Sequence, residues 1–161
     1  HPRHIAMMSE PIVARPVEAR LRVPREPVEL DHIDVERHGK MLRCRIVLSV
    51  GEQKYPAMAQ AADGPLAEPE LAARVALDAL RAAGAVGASF HGIGMITIAN
   101  CNYLVATVRD AADGVARAGA VPLLDSMAWS AALAVLRAAG TDTPVDMRPS
   151  AGPPLRTATY A

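Results

Sequence analysis

Histidine and cysteine are the residues of this sequence whose types and positions are best suited to chemistry. His32, His38 and Cys44 fall in one short stretch, and His91 and Cys101 fall in a second. Zinc sites need three or four such ligands, usually with tight spacing such as CxxC. No spacing of that kind occurs in the central part of the sequence, so we expect no metal and no cofactor.

Acidic residues give a second set of candidates for chemistry. Asp31, Asp34 and Glu36 cluster in and directly after one predicted strand, where carboxylates are normally solvated. Asp63 and Asp113 each precede a glycine, and an aspartate at a turn hydrogen-bonds its own backbone. A catalytic nucleophile needs an adjacent base and an orienting group, and no motif of that kind is present. We therefore assign no catalytic residue.

The elements that must position these residues follow from hydrophobic periodicity. Apolar residues alternate with charged ones over 41–50, which predicts a strand with one covered face. Strands are also predicted over 28–35 and 54–62, and an amphipathic helix over 68–83 that ends at Gly84. Both cysteines fall in or beside predicted strands, where we expect buried free thiols.

The same order of elements is repeated in the second half. Strands are predicted over 89–99, 103–109 and 115–122, followed by a helix from about 126 to 139. Residues 80–84 and 136–140 both read LRAAG, and His32 and His91 take similar places in the first strand of each unit. These observations predict an α+β fold of two tandem β-β-β-α units that pack helices on antiparallel sheet.

The chain divides into four predicted segments. They are an extended N-terminal arm (1–27), a first unit (28–84), a second unit (85–140) and a Pro-rich C-terminal tail (141–161). Proline removes a backbone donor and biases its predecessor toward extended geometry, which favours extended tails. We expect a partner chain to hold tails of this kind in place.

The second predicted helix is apolar on nearly every side, with Arg137 its only charge. A helix of that kind has to be covered on more than one side. We therefore expect a homodimer or higher oligomer, although Trp129 could equally fill the core of its own chain. The predicted interface residues are Trp129, Met127, Leu133 and Leu136.

Two glycines in the first strand of the second unit indicate a bulge or a close approach of the backbone, for instance to a ligand. The following turn is rich in asparagine. We therefore predict that a ligand binds at the start of this strand and at the turn. The predicted ligand-binding residues are His91, Gly92, Gly94, Asn100, Asn102 and Tyr103.

Overall charge and hydropathy narrow the classes of partner. Lysine plus arginine equals aspartate plus glutamate, 17 of each, whereas a nucleic-acid-binding protein normally carries a basic excess. No run of about 18 apolar residues occurs, so we expect no membrane span. Two cysteines do not form a disulfide framework. We expect a cytoplasmic protein that binds neither nucleic acid nor membrane.

The tandem order resembles the C-terminal regulatory domain of 2-isopropylmalate and citramalate synthases. The likeness lies in the sequence AADGP at 61–65 and in the helix sequence ALDAL at 76–80, and it covers about 28–140. The second unit has AVPLLD at 120–125 in place of the Gly-Pro step. The Ala-Leu helices are also similar to those of small proteins of high-GC bacteria. The resemblance implies a non-catalytic domain that dimerises and binds an amino-acid effector between its units.

The sequence therefore predicts a non-catalytic oligomeric binding or regulatory module that binds a small ligand or a partner protein. One alternative is a small enzyme that uses His32, His91 or Cys101 in a cleft between the units. The other is a structural accessory subunit whose tails lie on the surface of a neighbour.

Overall fold

The computed structural model describes residues 19–145 and contains six strands and two helices. The predicted α+β fold, with a β-β-β-α unit given twice, is confirmed. The elements are β1 (Val28–His38), β2 (Met41–Val50), β3 (Gln53–Ala62), α1 (Ala67–Ala82), β4 (Ala88–Ile98), β5 (Cys101–Asp110), β6 (Ala116–Pro122) and α2 (Met127–Ala138).

Each unit forms its own three-stranded antiparallel sheet, with strand order β1-β2-β3 in the first and β4-β5-β6 in the second. The central strand of each sheet carries the core, because alternate side chains point to the covered face. In β2 the buried residues are Leu42, Cys44, Ile46, Leu48 and Val50. In β5 they include Leu104, Ala106 and Val108.

The two helices lie against each other and against the covered faces of the sheets. Helix α1 packs on β2 and β3, and α2 packs on β5 and β6. Each helix also contacts the first strand of the other unit, so the contacts between the units are reciprocal. Neither helix of the described residues is long and apolar enough to cross a membrane.

Helix α2 is covered by its own chain, which differs from the expectation that a partner subunit covers it. Trp129 is only 8% exposed, and Leu133 and Leu136 are buried, while Met127 is half-buried. The cover comes from β5, β6, α1 and β1. The interface role of these four residues stays a prediction, but an uncovered apolar helix no longer supports it.

Part of the predicted N-terminal arm packs on the second unit. Arg22 forms an isolated antiparallel bridge with Val86, and Leu21 is buried. At the other end of the chain, the Val28 N–H donates to the Asp142 carbonyl at 2.9 Å. The rest of the predicted arm and tail, 1–18 and 146–161, lies outside the described residues, as does any contact of theirs with a partner.

Asp110 at the end of β5 holds the N-terminal segment in place with a buried carboxylate. Its Oδ1 accepts the N–H of Leu21 at 3.1 Å and that of Ala112 at 2.9 Å, and Arg117 donates to Oδ2 at 3.2 Å. The hydrogen bond from Ala112, with those from Leu21 and the charge of Arg117, outweighs burial and keeps the pKa of Asp110 below its usual value of 3.8.

We predict that Asp110→Asn lowers the melting temperature at pH 7 by several degrees, on the order of 5 °C. A carboxyl whose pKa is lowered by folding adds stability above its unfolded pKa, and this stability is lost as the pH falls through the folded pKa. The difference between wild type and variant should therefore shrink below about pH 4. Thermal melts from pH 3 to pH 8 measure it.

The matched control is Asp113→Asn, because Asp113 caps an exposed turn by accepting the Val115 N–H. This control should change the melting temperature much less than Asp110→Asn. Equal effects of the two substitutions at pH 7 would contradict the anchoring role of Asp110.

Candidate functional site

The first hairpins of the two units share one backbone plan. β1 and β4 have the same length and lie sixty residues apart, as do β2 and β5. Both hairpins have a bulge at the same place, where Asp31 and His91 are the extra residues. His91 therefore matches Asp31, and His32 matches Gly92, so His32 and His91 lie in similar places that differ by one residue.

Asp31 is tied to its own sheet across the bulge of the first unit. Its Oδ2 accepts a hydrogen bond from Ser49 and, at 2.5 Å, one from the Lys54 ammonium. Partial burial raises the pKa of Asp31, but the hydrogen bonds from Lys54 and Ser49 outweigh burial, so this pKa lies below its usual value. The charge of Asp31 is thus satisfied within the chain.

His91 is tied to its sheet in the equivalent way. Arg109 Nη2 lies 2.6 Å from His91 Nε2, and because arginine only donates, Nε2 accepts and the ring proton is on Nδ1. Nδ1 then donates to Thr107 Oγ1 at 3.1 Å, and Thr107 donates to the Gly92 carbonyl at 3.4 Å. Both ring nitrogens have partners within the chain, and a role of His91 in ligand binding stays a prediction.

The other predicted ligand residues follow the β4–β5 hairpin. Asn100 (φ 66°) and Ala99 (φ 50°) form a two-residue turn with both φ angles positive, as in a type I′ hairpin. Asn102 accepts a hydrogen bond from Thr97 at 2.6 Å across the strands, and Tyr103 pairs with Ile96. These residues lie in a line along the hairpin, and ligand binding by them also stays a prediction.

The uncovered faces of the two sheets differ in chemistry although their backbones match. The outward positions of β1 are Asp31, His32, Asp34, Glu36 and His38. The matching positions of β4 are His91, Gly92, Gly94, Ile96 and Ile98. In the next strand, Tyr103 and Val105 stand where the first unit has Arg43 and Arg45.

An exposed apolar patch results on the second unit. Ile96 is 45% exposed, Ile98 57% and Met95 39%. We call this the β4 patch, defined by Gly92, Gly94, Ile96 and Ile98. Met95 lies on the opposite face of β4, because it pairs with the buried Leu104. Contiguous exposed apolar residues on a monomer mark sites of interaction. The patch contains two of the predicted ligand-binding glycines, whereas Ile96 and Ile98 were not among the candidates from sequence.

The matching face of the first unit is polar, and acidic and basic side chains on it pair with each other. Arg43 donates to Glu36 at 2.7 Å, and this hydrogen bond, with one from His38, keeps the pKa of Glu36 below its usual value. Asp34, Glu36, Arg43, Arg45 and Met58 line a shallow depression of about 230 Å³. Exposed ion pairs of this type are weak and well solvated.

A groove of about 380 Å³ runs between the two units, with α1 as its floor. Its polar lining residues are Gln60, Arg74, Asp78, Arg81 and Ser89, beside Phe90. The Arg74 guanidinium lies 4.5 Å from the centre of the Phe90 ring and pairs with Glu70 at 3.1 Å. Among the described residues that line this groove there is no histidine and no cysteine.

The residues of the enzyme alternative are separated. His32 lies on the first sheet, and His91 and Cys101 lie toward opposite ends of the β4–β5 hairpin. Within residues 19–145, no three His, Cys, Asp or Glu side chains are placed to hold a metal ion together. The structure therefore does not bring the predicted catalytic candidates into one site.

The two cysteines lie in different environments. Cys44 is buried in β2, and burial raises the pKa of its thiol to about 12. Cys101 is exposed, which corrects the expectation that both thiols are buried. The reason is that Cys101 is the first residue of β5, at the exposed end of the hairpin, and lies on the same outer face as Tyr103 rather than on the covered face of Leu104.

We predict that one thiol per chain reacts quickly with Ellman's reagent in the native protein. Cys101→Ser should abolish the fast reaction, and Cys44 should react only after denaturant is added, because a buried neutral thiol is a poor nucleophile. Fast reaction of two thiols in the folded wild type would contradict the burial of Cys44.

Comparisons of this chain with protein-family models, with curated proteins and with solved structures found no match.

Proposed function

We propose that this chain is a non-catalytic binding module that associates with itself through its second unit. The observation that carries the proposal is the β4 patch, an exposed apolar surface at positions where the first unit has charged or polar side chains. Since the two hairpins share one backbone, the fold itself does not require apolar residues there.

The size of the patch supports a weak and reversible association. Complete burial of an isoleucine contributes about 1.5–3 kcal/mol, and Ile96 and Ile98 are each about half exposed. Each therefore has about 1 kcal/mol left to gain on association, and a symmetric dimer gains this from both copies. Association costs at least ~4 kcal/mol of lost freedom, about as much as these isoleucines gain together, so a dimer needs further contacts at this face and we expect it to be weak.

The element order supports a regulatory role of the module. It resembles that of the synthase regulatory domains, which dimerise and are not catalytic. Binding of a small ligand along the β4–β5 hairpin is the second part of this proposal. The accessory-subunit alternative rests on the tails, of which 1–18 and 146–161 lie outside the described residues.

We predict that wild-type protein shows a concentration-dependent dimer by light scattering and that Ile96→Glu with Ile98→His makes it monomeric. These substitutions introduce the residues of the first unit, Glu36 and His38, so they suit the backbone of the hairpin. Buried unpaired charge is costly, and we expect the dissociation constant to rise at least about tenfold.

The matched control is Met58→Glu on the first sheet, because Met58 is 58% exposed, as much as Ile98. It should leave the molar mass of the dimer unchanged. A wild-type monomer at several hundred micromolar, or equal loss of dimer in control and double variant, would contradict self-association through the second unit.

A further inference from the structure

The two sheets have four edge strands within the described residues, and β4 differs from the other three. β1 carries four acidic side chains along its length, Glu29, Asp31, Asp34 and Glu36. β3 has Pro56 at its centre beside Lys54, and β6 is short, with Arg117 and Pro122. Charges and prolines on edge strands prevent pairing with other chains. β4 contains neither, and His91 is its one ionisable residue.

The turn between β4 and β5 determines which backbone groups of β4 point to the free edge. The two residues that flank a two-residue turn form a hydrogen-bonded pair, here Ile98 with Cys101. Hydrogen-bonded positions alternate along an antiparallel strand. Ile98, Ile96 and Gly94 therefore bond to β5, and the N–H and C=O groups of Ile93, Met95 and Thr97 point to the free edge.

The side chains of β4 fit a second copy of the same strand. Gly92, Gly94, Ile96 and Ile98 lie on one face, with the small residues before the large ones. In an antiparallel pair centred on Met95, Ile96 lies opposite the partner's Gly94, and Ile98 lies opposite the partner's Gly92. Each isoleucine then has the space of a glycine to fill, and no charges face each other.

We propose that β4 pairs in antiparallel fashion with β4 of a second copy, centred on Met95, and joins two three-stranded sheets into one of six strands. This inference rests on the proposed self-association and names its partner, edge and register. Strand addition of this kind supplies main-chain hydrogen bonds as well as apolar contacts. Here Met95 bonds to the partner's Met95, and Ile93 bonds to the partner's Thr97.

Charge favours a second copy of β4 over the other edges of this protein. Pairing of β4 with β1 of another chain would place Asp34 and Glu36 beside uncharged residues, which have no countercharge for them. Desolvating an unpaired carboxylate is costly. The paired segment from Gly92 to Ile98 spans about 20 Å, so the interface is of the small class, in agreement with a weak dimer.

Disulfide trapping of the full chain tests the register. In a Cys101→Ser background, Met95→Cys should form a covalent dimer in oxidised glutathione, because Cα atoms of a hydrogen-bonded antiparallel pair lie about 5.5 Å apart, within disulfide range. Cys44 is buried with a raised pKa and should not react. We expect most of the protein to be trapped at concentrations above the dissociation constant of the dimer.

The matched control is Thr97→Cys in the same background. In the proposed register the two Thr97 positions lie about 14 Å apart, too far for a disulfide. Trapping at Met95 alone supports the inference, and equal trapping of both variants overturns it. If light scattering shows a dimer but Met95→Cys is not trapped, self-association stands and the β4 pairing is wrong. A monomer that is not trapped refutes both proposals.

Discussion

Contact between the two helices is the interaction on which the rest of this structure depends. Neither β-β-β-α unit can cover α1 or α2 completely with its own sheet, so each helix packs on its sheet, on the other helix and on the first strand of the other unit. The second helix also lies very close to its own sheet: a Cβ at Gly119 of β6 would lie 2.4 Å from the Ala134 carbonyl oxygen of α2, so only glycine fits there. The helices thus use one face of each sheet and leave the other to solvent.

Because both units obey the same packing constraint, their outer faces differ only where the fold leaves the choice of residue free. The bulge residues Asp31 and His91 are each tied to the neighbouring strand, by different chemistry at the same place. Beyond the bulge, the first unit has charges that protect its edge, and β4 of the second unit has none. The β4 edge therefore breaks the rule that edge strands carry charges, and packing does not require it to do so. Such an exception is typical of a functional surface.

The fold was predictable because its signals are local. Period-two alternation in β2 predicted a strand with one covered face. The repeated LRAAG helix ends and the repeated order of elements indicated the duplication and a second sheet. It was not predictable that the chain itself covers Trp129. The spacing of apolar residues along a helix does not show whether the other helix of the chain or a partner subunit packs on it. The exposure of Cys101 was missed because this residue lies at the end of the hairpin, before the apolar alternation that marks the covered face of β5.

The β4 patch was missed for a different physical reason. A bulge shifts which residues point outward, so the alternation before His91 does not predict the face beyond it. Residues 93–98 also have apolar side chains on both faces of the strand, so this segment alone does not show which face is covered. Comparing the units at a spacing of sixty residues would have revealed the patch, because Glu36 and His38 then align with Ile96 and Ile98.

Amide hydrogen exchange of β4 tests the central claim of self-association at this edge most directly. Amides of Gly94 and Ile96 bond to β5 in either state and should exchange slowly at every protein concentration. Amides of Ile93, Met95 and Thr97 should exchange quickly in dilute protein and become protected as its concentration passes the dissociation constant. Fast exchange of these three amides at every concentration, in protein that light scattering shows to be dimeric, would contradict the account.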